Sequence, residues 1–505
     1  MTETVSPESL QPDASLLGRV VRGGAWMTTG EGAARLLPML RNIVLLRFLD
    51  PTQFGLWWAI SSVVVGAQVF TDTGVTAAVI QKPQGTRAEY LSTAWLIQAL
   101  RGVVLAALTL VVAPGAAWFF DNEELVRPLQ LMAVLFLVGG LASPKVLLFT
   151  RDLDFKKLVI LQQLSAVASL VVALVLGIAW RNVWALVLAE IVREVVFVGA
   201  GYAVAPFRPT LKFFDHVVRE LWQFGKHVYL ANVCLFLLLQ GDYLVVGRML
   251  GVGPLGNYRF GWHLAHLPGM TAGAMVGRVS FPAYARMQDN RSRLAGAYLR
   301  VLGLTACYAW PAAVGLAFLA PVIPQYGGEK WASAVTPMQI MCVAGLVQAL
   351  NATGGSLFLG TGRPDLLSRV ALFNLLLMGV LIFPLTYFFG IVGTAWSIVL
   401  SQVPTAVVVL EVVRRQLKMR WGEILRVSVA PVPATAGMTL MLLGLWLLKL
   451  DWRIYTVLAV AAGVVVYGVL LYLTADRQIR QFRHAMQEGL RPEDADKGED
   501  NHPGL

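Results

Sequence analysis

Arg35 and Arg41 lie deep inside the first apolar run of the chain, which opens at Gly23 and also holds Glu31. Ionisable side chains inside such a run are costly and turn toward a cavity or a partner. Glu31 and Arg35 have the four-residue spacing of a helical ion pair. Arg35, Arg41 and Arg47 follow at six-residue steps. On a helix each step climbs ~9 Å and turns to another face, so the three form a ladder and not a stripe. Other apolar runs hold Asp72, Arg101, Lys145, Asp242, Arg259 and a Glu190/Arg193/Glu194 group. Bases outnumber what the acids of the first half can pair. A guanidinium matches phosphate oxygens two at a time, so the chemistry on offer is capture of a phosphate or pyrophosphate. Plainer roles stand beside it. Arg47, Arg248 and Lys145 also suit snorkelling at the ends of runs, and Glu190, Arg193 and Glu194 suit a structural salt bridge. His263 and His266 have no carboxylate or cysteine at ligand spacing and read as helical histidines. There is no Walker A sequence, nucleophile elbow or metal signature.

The elements that must hold these groups are membrane spans. Of 505 residues, 57% are hydrophobic and 14% charged, against about 25% charged in soluble chains. Runs of roughly 20 apolar residues, enough to cross a bilayer, recur between Gly23 and Thr474. We read fourteen: 23–48, 53–78, 90–113, 128–149, 158–179, 183–205, 223–247, 255–280, 296–322, 335–360, 368–388, 390–412, 427–448 and 453–474. The first 22 residues are polar and end in basic residues, so they read as a cytoplasmic segment leading into a retained span and not as a cleaved signal. Lys and Arg crowd the even-numbered connections and the tail, as at Arg151/Lys156/Lys157 and Arg414/Arg415/Lys418/Arg420. The odd ones carry few. This alternation puts both termini in the cytoplasm. It also explains the net charge of +11 without nucleic acid. Cys234, Cys307 and Cys342 lie inside apolar runs and read as small core residues.

An internal repeat organises the spans. RFLDPTQFGLW (Arg47 to Trp57) and RMLGVGPLGNY (Arg248 to Tyr258) fit one pattern with identical spacing. TRDLDFKKLVIL from Thr150 pairs with TGRPDLLSRVAL from Thr361, and WALVL from Trp184 with WSIVL from Trp396. Six spans per copy is even, so the copies run parallel about an axis along the membrane normal, a plan that sets a transport path between two halves. The expected organisation is a cytoplasmic segment 1–22, an N-lobe 23–205, a cytoplasmic linker 206–222, a C-lobe 223–412, two further spans within 427–474 and a disordered cytoplasmic tail 475–505. The fold class is thus all-α and polytopic, two parallel six-helix repeats plus two C-terminal helices.

Several stretches, RNIVLLRFLDPTQFGLWWAISSVV, FTDTGVTAAVIQ, FTRDLDFKKLVILQ, QGDYLVVGRMLGVGPLGNY, FPAYARMQ and NATGGSLFLGTGRPDLL, resemble oligosaccharide flippases of the polysaccharide transporter (Wzx-type) family in the MOP exporter superfamily. The resemblance runs over spans 1–12. It implies MATE-like lobes around a central cavity. It also implies translocation of an undecaprenyl-pyrophosphate-linked oligosaccharide across the bacterial inner membrane for exopolysaccharide, O-antigen or capsule synthesis. The first span also resembles the lipid II flippase branch, whose R-x5-R-[DN] spacing falls on Arg35, Arg41 and Asn42; Asn42 stands where that branch typically has an acid. On this resemblance Arg35, Arg41, Asn42 and Arg259 are expected to meet the pyrophosphate, with Arg47 and Arg248 near the outer gate. Asp72, Asp242 and Glu31 become counter-ions or sites for a coupling cation. Trp57, Trp58 and Tyr258 are candidates to stack on sugars or to form an interfacial belt. The expected partners are the lipid-linked oligosaccharide, membrane lipids, a polysaccharide polymerase and a chain-length regulator; no cofactor and no nucleic acid is expected. Two other readings stand beside this one. A multidrug or cation antiporter of the same fold calls for an acidic cavity, and a glycan polymerase or ligase calls for a large external loop.

Overall fold

The computed structural model describes residues 36–71, 86–152, 154–210 and 240–474, with residues 30, 32, 79 and 236 placed singly. Every regular element among them is helical. That follows from the composition, because backbone polar groups in lipid must be satisfied within their own segment. The chain is a multi-pass membrane protein. Among the described residues eight helices are long and apolar enough to cross a membrane, and nine if one bent pair counts as a span.

In chain order the helices are α1 (Leu36–Leu45), α2 (Pro51–Phe70), α3 (Ala88–Phe120), α4 (Glu123–Gly140, opening with a 3-10 turn), α5 (Lys145–Arg151), α6 (Phe155–Trp180) and α7 (Trp184–Val204). They continue as α8 (residues 240–250), α9 (Val252–Met287), α10 (Arg291–Leu319), two short helices at Val322–Gly327 and Glu329–Ala334 (the second a 3-10 helix), α11 (Val335–Gly360), α12 (Pro364–Leu417), α13 (Trp421–Val429), α14 (Val432–Leu447) and α15 (Trp452–Thr474). Two sequence expectations change shape. The span expected over 128–149 is broken between α4 and α5, which meet at 69°; Pro144 stands at the break, and a proline cannot continue the hydrogen-bond ladder. Conversely, the spans expected at 368–388 and 390–412 run together as the 54-residue α12, which turns at Gly390 (φ 58, ψ −142). Only glycine adopts that backbone without strain.

The chain divides into two compact units. The first holds Met1–Phe260, Tyr326–Ala334 and Ile382–Thr394; the second holds Gly261–Gln325, Val335–Leu381 and Ala395–Leu505. In the first unit α6 and α7 form a hairpin whose turn is pinned by Gln53, its Oε1 accepting from Val183 N at 2.7 Å. The face that α6 buries is a run of small residues, Ser165, Ser169, Ala173 and Gly177. Such four-residue spacing lets helix backbones approach closely in lipid. In the second unit Tyr284, Tyr298, Leu302, Leu357, Phe358, Val413 and Ile424 build a core between α9, α10, α11, α12 and α13. There α14 and α15 close on each other through Met438, Leu442, Tyr455 and Ala459. They reach α10 through Tyr455, whose hydroxyl donates to Phe318 O at 3.2 Å, and Tyr467, which donates to Cys307 O at 2.6 Å. Much of α15 stays exposed and apolar, including Val457, Val464, Val465 and Leu473. That is the surface a lipid-facing helix presents.

Candidate functional site

The site grows from the two copies of the repeated connection, both in the first unit. In copy one, α1 ends at Leu45, the chain turns through Arg47 and Leu49, and Pro51 starts α2 with Asp50 at the N-cap. Proline at the first helical position costs no hydrogen bond. In copy two, α8 ends at Met249–Leu250, Gly251 takes φ +87, and Val252 starts α9. The first α2 bond, Phe54 N to Asp50 O at 3.2 Å, has its equivalent in Leu255 N to Gly251 O at 3.3 Å.

The two copies touch each other reciprocally. A Cβ on Gly55 would collide with the carbonyl of Val252, and a Cβ on Gly256 would collide with the carbonyl of Pro51. Gly256 is the repeat equivalent of Gly55, and Val252 that of Pro51, at one offset of 201 residues. Each copy therefore lays the same glycine on the same carbonyl of the other, a pseudo-two-fold crossing of the first turns of α2 and α9.

Around this crossing Arg41 and Asp242 are buried. Arg41 is 7% exposed. Its Nε donates to Asn42 Oδ1 at 3.2 Å and its guanidinium carbon lies 5.8 Å from the centre of the Trp57 ring. Glu190 and Arg193 of α7 are within electrostatic reach; the two are bonded to each other, Arg193 Nε to Glu190 Oε1 at 2.9 Å. In copy two, buried Asp242 accepts from the Tyr258 hydroxyl at 2.8 Å. Arg259 lies with its guanidinium carbon 3.2 Å from the Tyr243 ring centre and 4.6 Å from that of Trp58, within cation–π range, and it interacts electrostatically with Asp242. Adjacent tryptophans of α2 thus serve two different arginines: Trp57 faces Arg41 and Trp58 faces Arg259.

The other expected site residues separate from this cluster. Arg47 is exposed in the turn after α1. Arg248 is exposed and caps the end of α3, Nη1 donating to Trp118 O at 3.3 Å and Phe119 O at 3.1 Å while the guanidinium lies over the Trp118 ring at 5.2 Å. A cation at a helix C-terminus meets the negative end of its dipole. Arg101 joins α3 to the end of α2, donating to Gln68 O at 2.6 Å and Thr71 Oγ1 at 3.2 Å. Glu31, Arg35 and Asp72 lie outside the described residues.

Sequence reasoning missed a brace. Trp331, fully buried, donates Nε1 to Leu46 O at 3.1 Å and meets Phe54 edge-on at 5.4 Å and Phe260 at 5.2 Å. Its neighbour Lys330 bonds Asp50 at 2.7 Å. A Trp after a Lys in a short polar connection carries no signal of partners 280 residues away. A cavity of about 1000 Å³ opens elsewhere in this unit, lined by acidic Asp121, Glu123 and Glu124 with Trp118 and Trp184; neither Arg41 nor Arg259 lines it.

Comparison with known proteins adds three findings. Residues 44–336 match the model of a family described as polysaccharide biosynthesis protein. Among curated relatives, the teichuronic acid biosynthesis protein TuaB of Bacillus subtilis (strain 168) is 24% identical over 90% of this chain and 96% of its own length. The lipopolysaccharide biosynthesis protein WzxC of Escherichia coli (strain K12) is 25% identical over 71% of this chain and 74% of its own. Among solved structures, the lipid II flippase MurJ in an inward closed conformation superposes with a TM-score of 0.72 at 12% identity, covering 89% of this chain and 99% of that one. At that identity the likeness is one of fold.

Proposed function

Because this chain belongs to the polysaccharide biosynthesis protein family, we propose that it flips undecaprenyl-pyrophosphate-linked oligosaccharide repeat units from the cytoplasmic to the periplasmic face of the bacterial inner membrane, and that it is a transporter and not an enzyme. The observation that carries the reading is the pair of arginines, buried Arg41 and half-buried Arg259, seated on the adjacent rings of Trp57 and Trp58. Two guanidiniums held out of bulk water suit a pyrophosphate far better than a cationic drug. The relatives' roles in teichuronic acid and lipopolysaccharide biosynthesis support a glycan cargo, and the flippase fold supports movement across the bilayer.

Both termini are cytoplasmic on this reading, with lobes 23–205 and 223–412 flanking the path and the spans of 427–474 appended. Arg35, Arg41, Asn42 and Arg259 receive the pyrophosphate, and Arg47 and Arg248 stand toward the outer side. Glu31, Asp72 and Asp242 balance charge or take a coupling cation, and a membrane potential or ion gradient drives alternating access. A polymerase and a chain-length regulator act on the delivered unit. The test is a deletion strain: intact lipid-linked repeat units accumulate in the cytoplasmic leaflet, and the wild-type gene restores export while Arg41→Ala and Arg259→Ala variants do not. Normal export by a folded Arg41→Ala/Arg259→Ala protein would sink the reading.

A further inference from the structure

The repeat register, carried six residues back from Arg47 and Arg248, aligns Arg41 with Asp242; carried forward, it aligns Trp57 with Tyr258. The structure keeps the contact at both places. The side chain at the first position lies against the ring at the second, Arg41 with Trp57 and Asp242 with Tyr258. The chemistry is inverted. In copy two the ring carries a donor, the Tyr258 hydroxyl, and the chain supplies its anion, the Asp242 carboxylate at 2.8 Å. In copy one the ring also carries a donor, the indole N–H of Trp57. The equivalent of Asp242 there is a cation. Trp57 is 5% exposed, and its Nε1 is buried without a hydrogen-bond partner among the described residues. A buried donor left unmade is costly, and the Arg41 guanidinium beside it, whose neighbouring Glu190 is already bonded to Arg193, has room for a further anion.

We infer that Trp57 donates its indole N–H to a phosphate of the lipid-linked substrate, so that the phosphate takes, in copy one, the place that copy two fills with its own carboxylate. Trp57 is then a specificity-determining residue that acts with Arg41, a donor to the anion and not a platform for sugar. This rests on the proposed function and sharpens it. The two arms of the repeat are not duplicate binding sites. Copy one lacks an anion of its own, and copy two supplies Asp242, which interacts electrostatically with Arg259.

The test uses the full-length protein in detergent, titrated with farnesyl pyrophosphate, inorganic pyrophosphate and farnesol. Trp57→Phe keeps a ring under Arg41 and removes the N–H. Trp57→Tyr copies the second arm of the repeat and returns a donor. Arg41→Ala reports on the site itself. Hydrogen bonds to charged groups contribute enough that Trp57→Phe is expected to weaken farnesyl pyrophosphate roughly ten- to a hundredfold, with farnesol unchanged and Trp57→Tyr restoring most of the loss. If Trp57→Phe binds farnesyl pyrophosphate like wild type while Arg41→Ala does not, the donor role is wrong and the site reading stands. If Arg41→Ala binds like wild type, the site reading itself is wrong. Equal loss of farnesol in Trp57→Phe makes the ring a packing residue and overturns the inference. Equal affinity for inorganic and farnesyl pyrophosphate assigns the site to a free anion and overturns its lipid source. Thermal melting of each variant, expected within a few degrees of wild type, separates lost binding from lost folding.

Discussion

Adding one methyl group to Gly55 or Gly256 tests whether the crossing of the two repeat copies belongs to the transport cycle. Each glycine lies on a backbone carbonyl, Gly55 on that of Val252 and Gly256 on that of Pro51, so no side-chain rotation can relieve the overlap. Overpacking of this kind costs about 1–3 kcal/mol. Alanine also gains roughly 1 kcal/mol of helix propensity over glycine, but that term is common to every state in which α2 and α9 stay helical and drops out of the comparison between them. If the crossing forms in one state of an alternating-access cycle and opens in the other, Gly55→Ala shifts the balance away from the crossed state by about 5–150-fold. A disulfide reads this out. A Cβ on Gly253 would sit 3.4 Å from Thr52 Oγ1, which puts a Thr52→Cys/Gly253→Cys pair within reach of a bridge. With Cys234, Cys307 and Cys342 replaced, the pair should cross-link readily in membranes and stop glycan export until reduced. Adding Gly55→Ala or Gly256→Ala should slow cross-linking by a factor in that range. Unchanged cross-linking in both variants would refute the tight crossing, and slowed cross-linking with undiminished export would refute its part in the cycle.

Trp331→Ala removes the brace on the α1–α2 turn, and a buried tryptophan cut to alanine costs about 3–5 kcal/mol; a large fall in melting temperature checks it. Gly390→Ala forces a side chain into φ +58 and should cost about 1–3 kcal/mol, seen as a lower melting temperature and faster proteolysis within α12. Arg248→Ala removes an exposed cap on α3 and should cost only about 0.3–1 kcal/mol, with farnesyl pyrophosphate affinity intact; a tenfold loss of that affinity would put Arg248 back among the binding residues.

What the sequence revealed, it revealed through periodicity and solvent. Apolar runs of bilayer length announce helices because lipid permits little else, and α6, α7, α11 and α15 begin and end within a few residues of the expected spans. The break after α4 and the 54-residue α12 were less legible. Both depend on one residue's backbone, Pro144 or Gly390, inside runs whose hydropathy does not change. The buried arginines were legible as a class because a guanidinium in an apolar run demands a reason. Their separation was not: Arg41 and Arg47 have the same spacing from their neighbours, yet one is buried beside Trp57 and the other exposed in a turn. The end of α1 at Leu45 separates them, and Trp331 and Lys330, from far along the chain, hold the turn that follows it.

The repeat also says why one chain needs both arms. A site made of two identical cationic arms would hold a pyrophosphate equally from either side, and a carrier that binds alike in every state gains nothing in moving its cargo. Here the equivalent position is Arg41 in one arm and Asp242 in the other, while the crossing at Gly55 and Gly256 keeps the two in register. Asp242 and Tyr258 are satisfied within the chain; Arg41 and Trp57 carry donors that an incoming anion completes. Substrate binding on this arrangement supplies the anion that copy one lacks, and it favours the state that presents Arg41 and Trp57 to it over a state that does not. Making the arms alike should therefore damage transport more than binding. Asp242→Arg, with Tyr258→Trp to match copy one, is expected to retain farnesyl pyrophosphate affinity within a few-fold and to lose glycan export in the deletion strain. A doubly substituted protein that folds and exports normally would show that the asymmetry has no part in the cycle.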